Sequence, residues 1–145
     1  MKKKMIFVLA LFIASVSLVY SQMKSYHVIK LTIKDVDFHK TNFASEVKVF
    51  TIQPSVVSGG LIVQVIFNND NYSTWGLMDP VKIDGLSTFY KVNSVDGIIP
   101  QTPVVAILSL FSTGGGVLRF YEGNYFPNTR FTDSDSSILI SFTGR

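Results

Sequence analysis

Leu61 to Phe67 has the sequence LIVQVIF, and the polar run Asn68-Asn69-Asp70-Asn71 follows it. Apolar, β-branched residues on both faces are typical of a strand in a sheet that is covered on both sides. Asn and Asp tolerate left-handed backbone and accept hydrogen bonds from nearby amides, so the polar run predicts a tight turn. The stretch therefore predicts a buried strand and a reversal of the chain, which together make an antiparallel sheet.

Similar strand patterns occur on both sides of this stretch. Tyr26 to Lys34 (YHVIKLTIK) alternates apolar and polar residues, which predicts a half-buried strand, and Val104 to Phe111 (VVAILSLF) is apolar on both faces. In Glu46 to Gln53 (EVKVFTIQ) the apolar positions change parity, because Val47 and Val49 share one face while Phe50 and Ile52 share the other. This change predicts a β-bulge or a strand that passes between two sheets.

Turn signals separate these segments at short intervals. Asp84-Gly85 and Asp96-Gly97 are each flanked by alternating residues and predict hairpins, and Asp79-Pro80 predicts a further turn. No window has helical periodicity, and the chain divides into eight or nine short strands. We therefore predict an all-β fold, an antiparallel β-sandwich of about eight strands, with a closed β-barrel as the alternative.

The first 21 residues have a different character. Three lysines, Lys2 to Lys4, precede ten apolar residues and a stretch of small residues that ends at Ser21. This order is typical of a cleaved secretory signal peptide, and the apolar run is short for a permanent membrane anchor. We expect a signal helix over residues 1–21, a single all-β domain over residues 22–145, and a secreted, periplasmic or cell-surface location.

Removal of the signal changes the charge of the chain. The full sequence carries a net charge of +3, and the three lysines of the signal account for all of it. A neutral domain lacks the surplus of cations that binding to phosphates requires, so we expect no nucleic-acid partner, and no membrane association after cleavage. The chain has no cysteine, which excludes disulfides, thiolate metal sites and a lipidated N-terminal cysteine.

Few residues in the sequence suggest catalysis. It holds two histidines and two glutamates, with no nucleophile-elbow or zinc-protease motif, so we expect no enzyme activity and no cofactor. Asp35, Asp37 and His39 could share one side of an extended segment, but a solvated turn is the more common structure, so we predict no metal there. Two oxygen-rich loops, Asp133–Ser137 and Asn68–Thr74, leave calcium binding open.

Aromatic residues close to predicted turns suggest a recognition surface. Rings beside Asn and Asp side chains suit a shallow saccharide or peptide surface, where the rings stack and the polar groups form hydrogen bonds. The alternative is that these rings fill the ends of the β domain. The candidate ligand-binding residues are Asn69, Asp70, Tyr72, Trp75, Tyr125 and Phe126.

These observations favour a non-enzymatic, exported β domain. We expect it to act in surface recognition, as an adhesion, carbohydrate-binding or envelope-associated module whose partner is a glycan or a cell-surface protein. Two alternatives stay open: a structural subunit of an extracellular assembly that self-associates through an edge strand, and a calcium-stabilised binding domain.

Overall fold

The computed structural model describes residues 23–35, 39–56, 59–122 and 135–144. The signal helix expected over residues 1–21 lies outside these ranges. A short 3-10 helix, Ala44–Glu46, precedes the third strand. The strands are β1 (Lys24–Lys34), β2 (Lys40–Asn42), β3 (Val47–Pro54), β4 (Leu61–Phe67), β5 (Tyr72–Lys82), β6 (Ser87–Gly97), β7 (Val105–Leu110), β8 (Gly116–Tyr121) and β9 (Ile138–Gly144).

Eight of the nine strands form a closed antiparallel barrel. From β3 to β9 each strand pairs with the next, and β1 joins β9 to β3. The seam between β1 and β9 runs from Tyr26 opposite Gly144 to Ile33 opposite Ile138. The all-β prediction is confirmed, whereas the preferred sandwich is not, because this seam joins the strands into one closed sheet, the barrel that the sequence left as the alternative.

Apolar side chains fill the interior of the barrel. Trp75 and Phe120 are fully buried in it, with ring centroids 4.9 Å apart. Tyr26, Phe50 and Phe142 form a second aromatic group with centroid distances of 4.7 to 6.0 Å. Eight-stranded barrels are just wide enough for side chains to fill, so this packing makes the interior a core and not a channel.

Register shifts interrupt the pairing of β1 with β9, of β3 with β4 and of β5 with β6. The register of β3 against β4 shifts between Val47 and Val49, which confirms the bulge predicted from the change of parity. Asp79-Pro80 is not a turn but a bulge inside β5, where Asp79 takes a φ of 52°. The prediction of a hairpin at Asp96-Gly97 is also wrong, because Gly97 is the last residue of β6 and pairs with Ser73.

β2 stands outside the barrel and pairs with the end of β1, from Thr32 opposite Asn42 to Lys34 opposite Lys40. Its three residues are all exposed. Among the strands that the structure describes, β2 is the one with an edge free along its whole length. Edge-mediated assembly through these strands would therefore depend on a very short segment.

The connection from β5 to β6 contains a carboxylate with a shifted pKa. Asp84 Oδ1 accepts hydrogen bonds from the backbone N–H groups of Leu86 and Ser87, both at 2.8 Å. These two bonds hold the pKa of Asp84 below its usual value, because the ionised carboxylate is the better acceptor. The bond from Leu86 has the larger effect, and the bond from Ser87 follows it.

This shift predicts an acid-dependent stability difference. The stabilisation that Asp84 gains from these hydrogen bonds is fully present above the ordinary Asp pKa of about 3.9. It is lost as the pH falls through the lower pKa that Asp84 has in the folded protein. We expect Asp84→Ala to be less stable than wild type near neutral pH, and the difference to shrink below about pH 4. Urea unfolding across a pH series measures it, with Asp84→Asn as the non-titrating control. A difference that stays constant down to about pH 2 contradicts the expectation.

Candidate functional site

A pocket of about 330 Å³ opens at one end of the barrel, beside the place where β1 and β3 separate. β1 pairs with β3 only at Lys24–Tyr26, and further along it pairs with β2 instead. The segment from β2 to the 3-10 helix occupies the space between the two strands. We call the cavity the mouth pocket; its lining residues are Ile33, Asp35, Thr41, Phe43, Glu46, Phe67, Asn69, Ile98, Ile99, Pro100 and Gln101.

The floor of the mouth pocket belongs to the core of the barrel. Phe67 and Ile99 are buried members of the main hydrophobic cluster, and Ile33 and Phe43 pack against it while half-buried. Ile98 is exposed at the edge of the pocket. Mouths of β-barrels are common ligand sites, and an apolar floor supplies the contact area that such sites use.

Hydrogen bonds from Asn42 fix the wall that carries Phe43. The Asn42 Oδ1 atom accepts from the N–H of Leu31 at 3.2 Å and from the N–H of Ala44 at 3.0 Å. Phe43 also donates its own N–H to the carbonyl of Leu31 at 2.7 Å. β1 and β3 form no ladder in this region. These hydrogen bonds instead hold the backbone around Phe43 beside β1, and the Phe43 ring packs against the core.

Asn68 ties Glu46 and the 3-10 helix to the turn between β4 and β5. The N–H of Asn68 donates to the carbonyl of Glu46 at 2.8 Å, and its side-chain amide donates to the carbonyl of Ser45 at 3.1 Å. Asn69, the next residue, lines the mouth pocket. These two hydrogen bonds hold the helix and the turn together at the pocket rim.

The connection after β6 closes the opposite wall. The N–H of Ile98 donates to the carbonyl of Tyr72 at 2.9 Å, and the buried N–H of Ile99 donates to Ser73 Oγ at 3.0 Å. Gln101 Nε2 donates to the carbonyl of Lys34 at 2.7 Å, which joins this connection to the end of β1. Its other amide atom, Gln101 Oε1, is buried and has no hydrogen-bond partner within the described ranges.

Only some of the sequence-predicted binding residues lie at this site. Asn69 lines the mouth pocket, whereas Asp70 extends into solvent and pairs with Lys48 Nζ at 2.7 Å. Tyr72 is 43 % exposed and donates its hydroxyl to Asp96 Oδ2 at 3.0 Å. That hydrogen bond, together with the negative charge of Asp96, raises the pKa of the Tyr72 phenol. Tyr125 and Phe126 lie outside the described residues.

The placement of Trp75 corrects the proposed aromatic surface. Its side chain is 0 % exposed and contacts Phe120 inside the barrel, so the ring cannot stack against a ligand at the surface. Its position corresponds to the alternative in which the rings fill the β domain. The indole Nε1–H has no hydrogen-bond partner in the part of the chain that the structure describes, so its burial costs free energy that the packing of the ring must offset.

Sequence reasoning missed most of the residues that form the mouth pocket. Phe43, Phe67, Ile99 and Gln101 come from three separate segments, and none belongs to a recognisable motif. The one usable signal was the change of parity in β3, because a bulge at a strand end marks a place where pairing is irregular. Glu46 lies immediately before that bulge.

Within the described ranges no three His, Asp or Glu side chains come together in a way that could hold a metal ion. In the turn after β4, Asn69 Oδ1 accepts from the N–H of Asn71 at 3.1 Å, and Asp70 binds Lys48. Two of the oxygens considered for calcium therefore already have partners within the protein. Asp133 and Ser134 of the second loop lie outside the described residues.

No family model matches this chain, and searches of curated proteins and of solved structures found no similar protein. The part of the chain that the structure describes contains no helix with the length and hydropathy needed to span a bilayer. The mouth pocket is therefore interpreted from its own geometry.

Proposed function

We propose that the protein is an exported, non-enzymatic binding protein that holds a small, largely apolar ligand in the mouth pocket. The observation that supports this proposal is a concave cavity with an apolar floor, where Ile33 and Phe43 are half-buried against the core, beneath a polar rim. Apolar surface that stays accessible there is unfavourable in water, and a ligand that covers it gains the free energy of apolar burial. The proposed binding site is therefore a concave pocket and not the flat aromatic surface predicted from the sequence.

The size and lining of the pocket favour a compact ligand. A volume of 330 Å³ lies near the lower end of the range of about 300 to 1,000 Å³ that small-molecule sites occupy. Among the described lining residues, Thr41, Asn69 and Gln101 are neutral and polar, and none is a histidine, lysine or serine. This composition suits binding and orientation of a ligand more than nucleophilic chemistry.

A fluorescent apolar probe tests the proposal. N-phenylnaphthylamine emits weakly in water and strongly in apolar surroundings, and we expect the purified protein to bind it saturably. Thr41 lines the pocket from exposed β2, so Thr41→Trp fills the cavity without disturbing the core. We expect this variant to bind the probe at least about ten-fold more weakly than wild type.

The matched control is the adjacent residue on the same hairpin. Thr41 pairs with Ile33 on the pocket side, whereas Lys40 pairs with Lys34, and alternation directs those two side chains to the other face. Lys40→Trp adds the same ring outside the pocket and should bind the probe as wild type does. Equal binding by both variants, or no saturable binding by the wild-type protein, would contradict the proposal.

A further inference from the structure

Among the described residues that line the mouth pocket, the charged ones are acidic. They are Asp35 and Glu46. Asp35 immediately follows β1 and lines the pocket as Ile33 does, while strand alternation directs the side chains of Lys34 and Lys40 to the other face. A bound head group at the rim would therefore lie closer to carboxylates than to ammonium groups.

The neighbouring charges only partly offset these carboxylates. Asp35 Oδ1 accepts the N–H of His39 at 2.9 Å, and the exposed His39 ring lies 3.9 Å from Asp35 Oδ2. Lys48, near the turn that carries Asn69, is already paired with Asp70. Within the described part of the chain, the Glu46 carboxylate has no salt-bridge partner. Glu46 therefore adds to the rim a negative charge that no cation of the described residues pairs with.

Gln101 does not add a group that a ligand could reach. Its amide nitrogen faces the carbonyl of Lys34, because only the nitrogen can donate to that oxygen. The Oε1 atom is buried and has no hydrogen-bond partner among the described residues. The charge preference of the pocket therefore comes from the carboxylates of Asp35 and Glu46, which favour cations.

We infer that the ligand of the mouth pocket is a cationic amphiphile, an alkyl- or aryl-ammonium compound whose apolar part covers Phe43, Phe67 and Ile99 while its ammonium group lies near Glu46 and Asp35. The inference rests on the proposed function, since it assigns the ligand class of the same pocket. Anionic amphiphiles such as fatty acids fit the apolar floor equally well, but their carboxylates meet like charge at the rim.

Three compounds with the same chain and different head charges test the inference. Octylammonium, octanol and octanoate carry one positive, no and one negative charge at neutral pH, and each is used below its micellar concentration to displace N-phenylnaphthylamine. At low salt we expect octylammonium to bind most tightly and octanoate most weakly, with about ten-fold between them. Added salt should reduce that ratio, because exposed charges are screened.

Charge-removing variants assign the selectivity to the rim. Glu46→Gln keeps the shape of the side chain and should lower the ratio of octylammonium to octanoate affinity by about three-fold or more, while octanol binding changes little. The control is Asp79→Asn, at the far end of β5, where an exposed ion pair with Lys91 is lost and Asn tolerates the positive φ. This control should leave the ratio unchanged.

The outcomes separate the two proposals. If none of the three compounds displaces the probe and the probe itself does not bind saturably, the proposed function fails. If all three displace it with equal affinity, or octanoate binds most tightly, the mouth pocket binds ligands but the cationic assignment is overturned. If the ratio is the same in Glu46→Gln and wild type, the assignment to the rim carboxylates is overturned.

Discussion

Replacement of Trp75 by alanine is expected to lower the free energy of unfolding by about 3 to 5 kcal/mol. The indole ring is fully buried against Phe120, and the closed sheet around it cannot collapse far enough to fill the space. Large-to-small substitutions lose both the transfer free energy of the ring and the contacts around the cavity. Urea unfolding followed by far-ultraviolet circular dichroism measures the change, since Trp75 is the only tryptophan.

Trp75→Phe is the matched variant, and it remains informative if Trp75→Ala does not fold. It keeps a ring beside Phe120 and removes the indole N–H, to which no described residue supplies an acceptor. Phenylalanine leaves a smaller cavity than alanine does. Removal of the unsatisfied buried donor also recovers part of the free energy that this cavity costs, so we expect the free energy of unfolding to fall by about 1 to 2 kcal/mol. Equal costs for the two substitutions, or wild-type stability of Trp75→Ala, would contradict the core position of this ring.

The second large effect is expected at Gly97, at the end of β6. Its φ is +118°, and a Cβ atom there would lie 2.2 Å from the carbonyl oxygen of Tyr72 and 2.5 Å from Ser73 Cα. Both contacts are with backbone, so no side-chain rotation can relieve them. We expect Gly97→Ala to cost about 2 to 4 kcal/mol of stability, from the strained φ and the overlap together.

The same substitution should also weaken ligand binding. Gly97 immediately precedes Ile98 to Gln101, and these four residues form one wall of the mouth pocket. Displacement of β6 from Tyr72 and Ser73 would move that wall, so we expect weaker binding of N-phenylnaphthylamine under conditions where the variant is still folded. Gly85→Ala is the control, because no atom lies within 4 Å of its added Cβ. We expect it to change stability by less than about 0.5 kcal/mol and to leave binding unchanged.

The alternation in the sequence contained more information about Trp75 than its position near a turn did. Trp75 and Leu77 alternate with Thr74 and Gly76, and both apolar residues lie in the core. The polar turn before β5 suggested a surface ring, but strand parity determines the direction of a side chain, and it directs Trp75 inward. Tyr72 differs in parity from Trp75, and its ring is exposed.

The errors in the predicted turns have a common cause. Asp79-Pro80 and Asp96-Gly97 have the composition of turns, yet one is a bulge inside β5 and the other ends β6. Positive φ and a missing amide hydrogen suit a bulge as well as a turn, so composition alone does not distinguish them. Asp84-Gly85 does lie in the connection between β5 and β6, where Ile83 donates to the carbonyl of Ser87 at 3.0 Å.

By itself, the sequence determined that the protein is all-β, approximately where its strands lie, and that β3 is irregular, because these properties depend on neighbours a few residues apart. Only the tertiary structure decided between sandwich and barrel, since the same alternation buries a face against a second sheet or against the far wall of one closed sheet. The pairing of β1 with β9 joins segments more than 100 residues apart. The mouth pocket depends on that closure, because its walls come from distant segments that meet only when the barrel is complete.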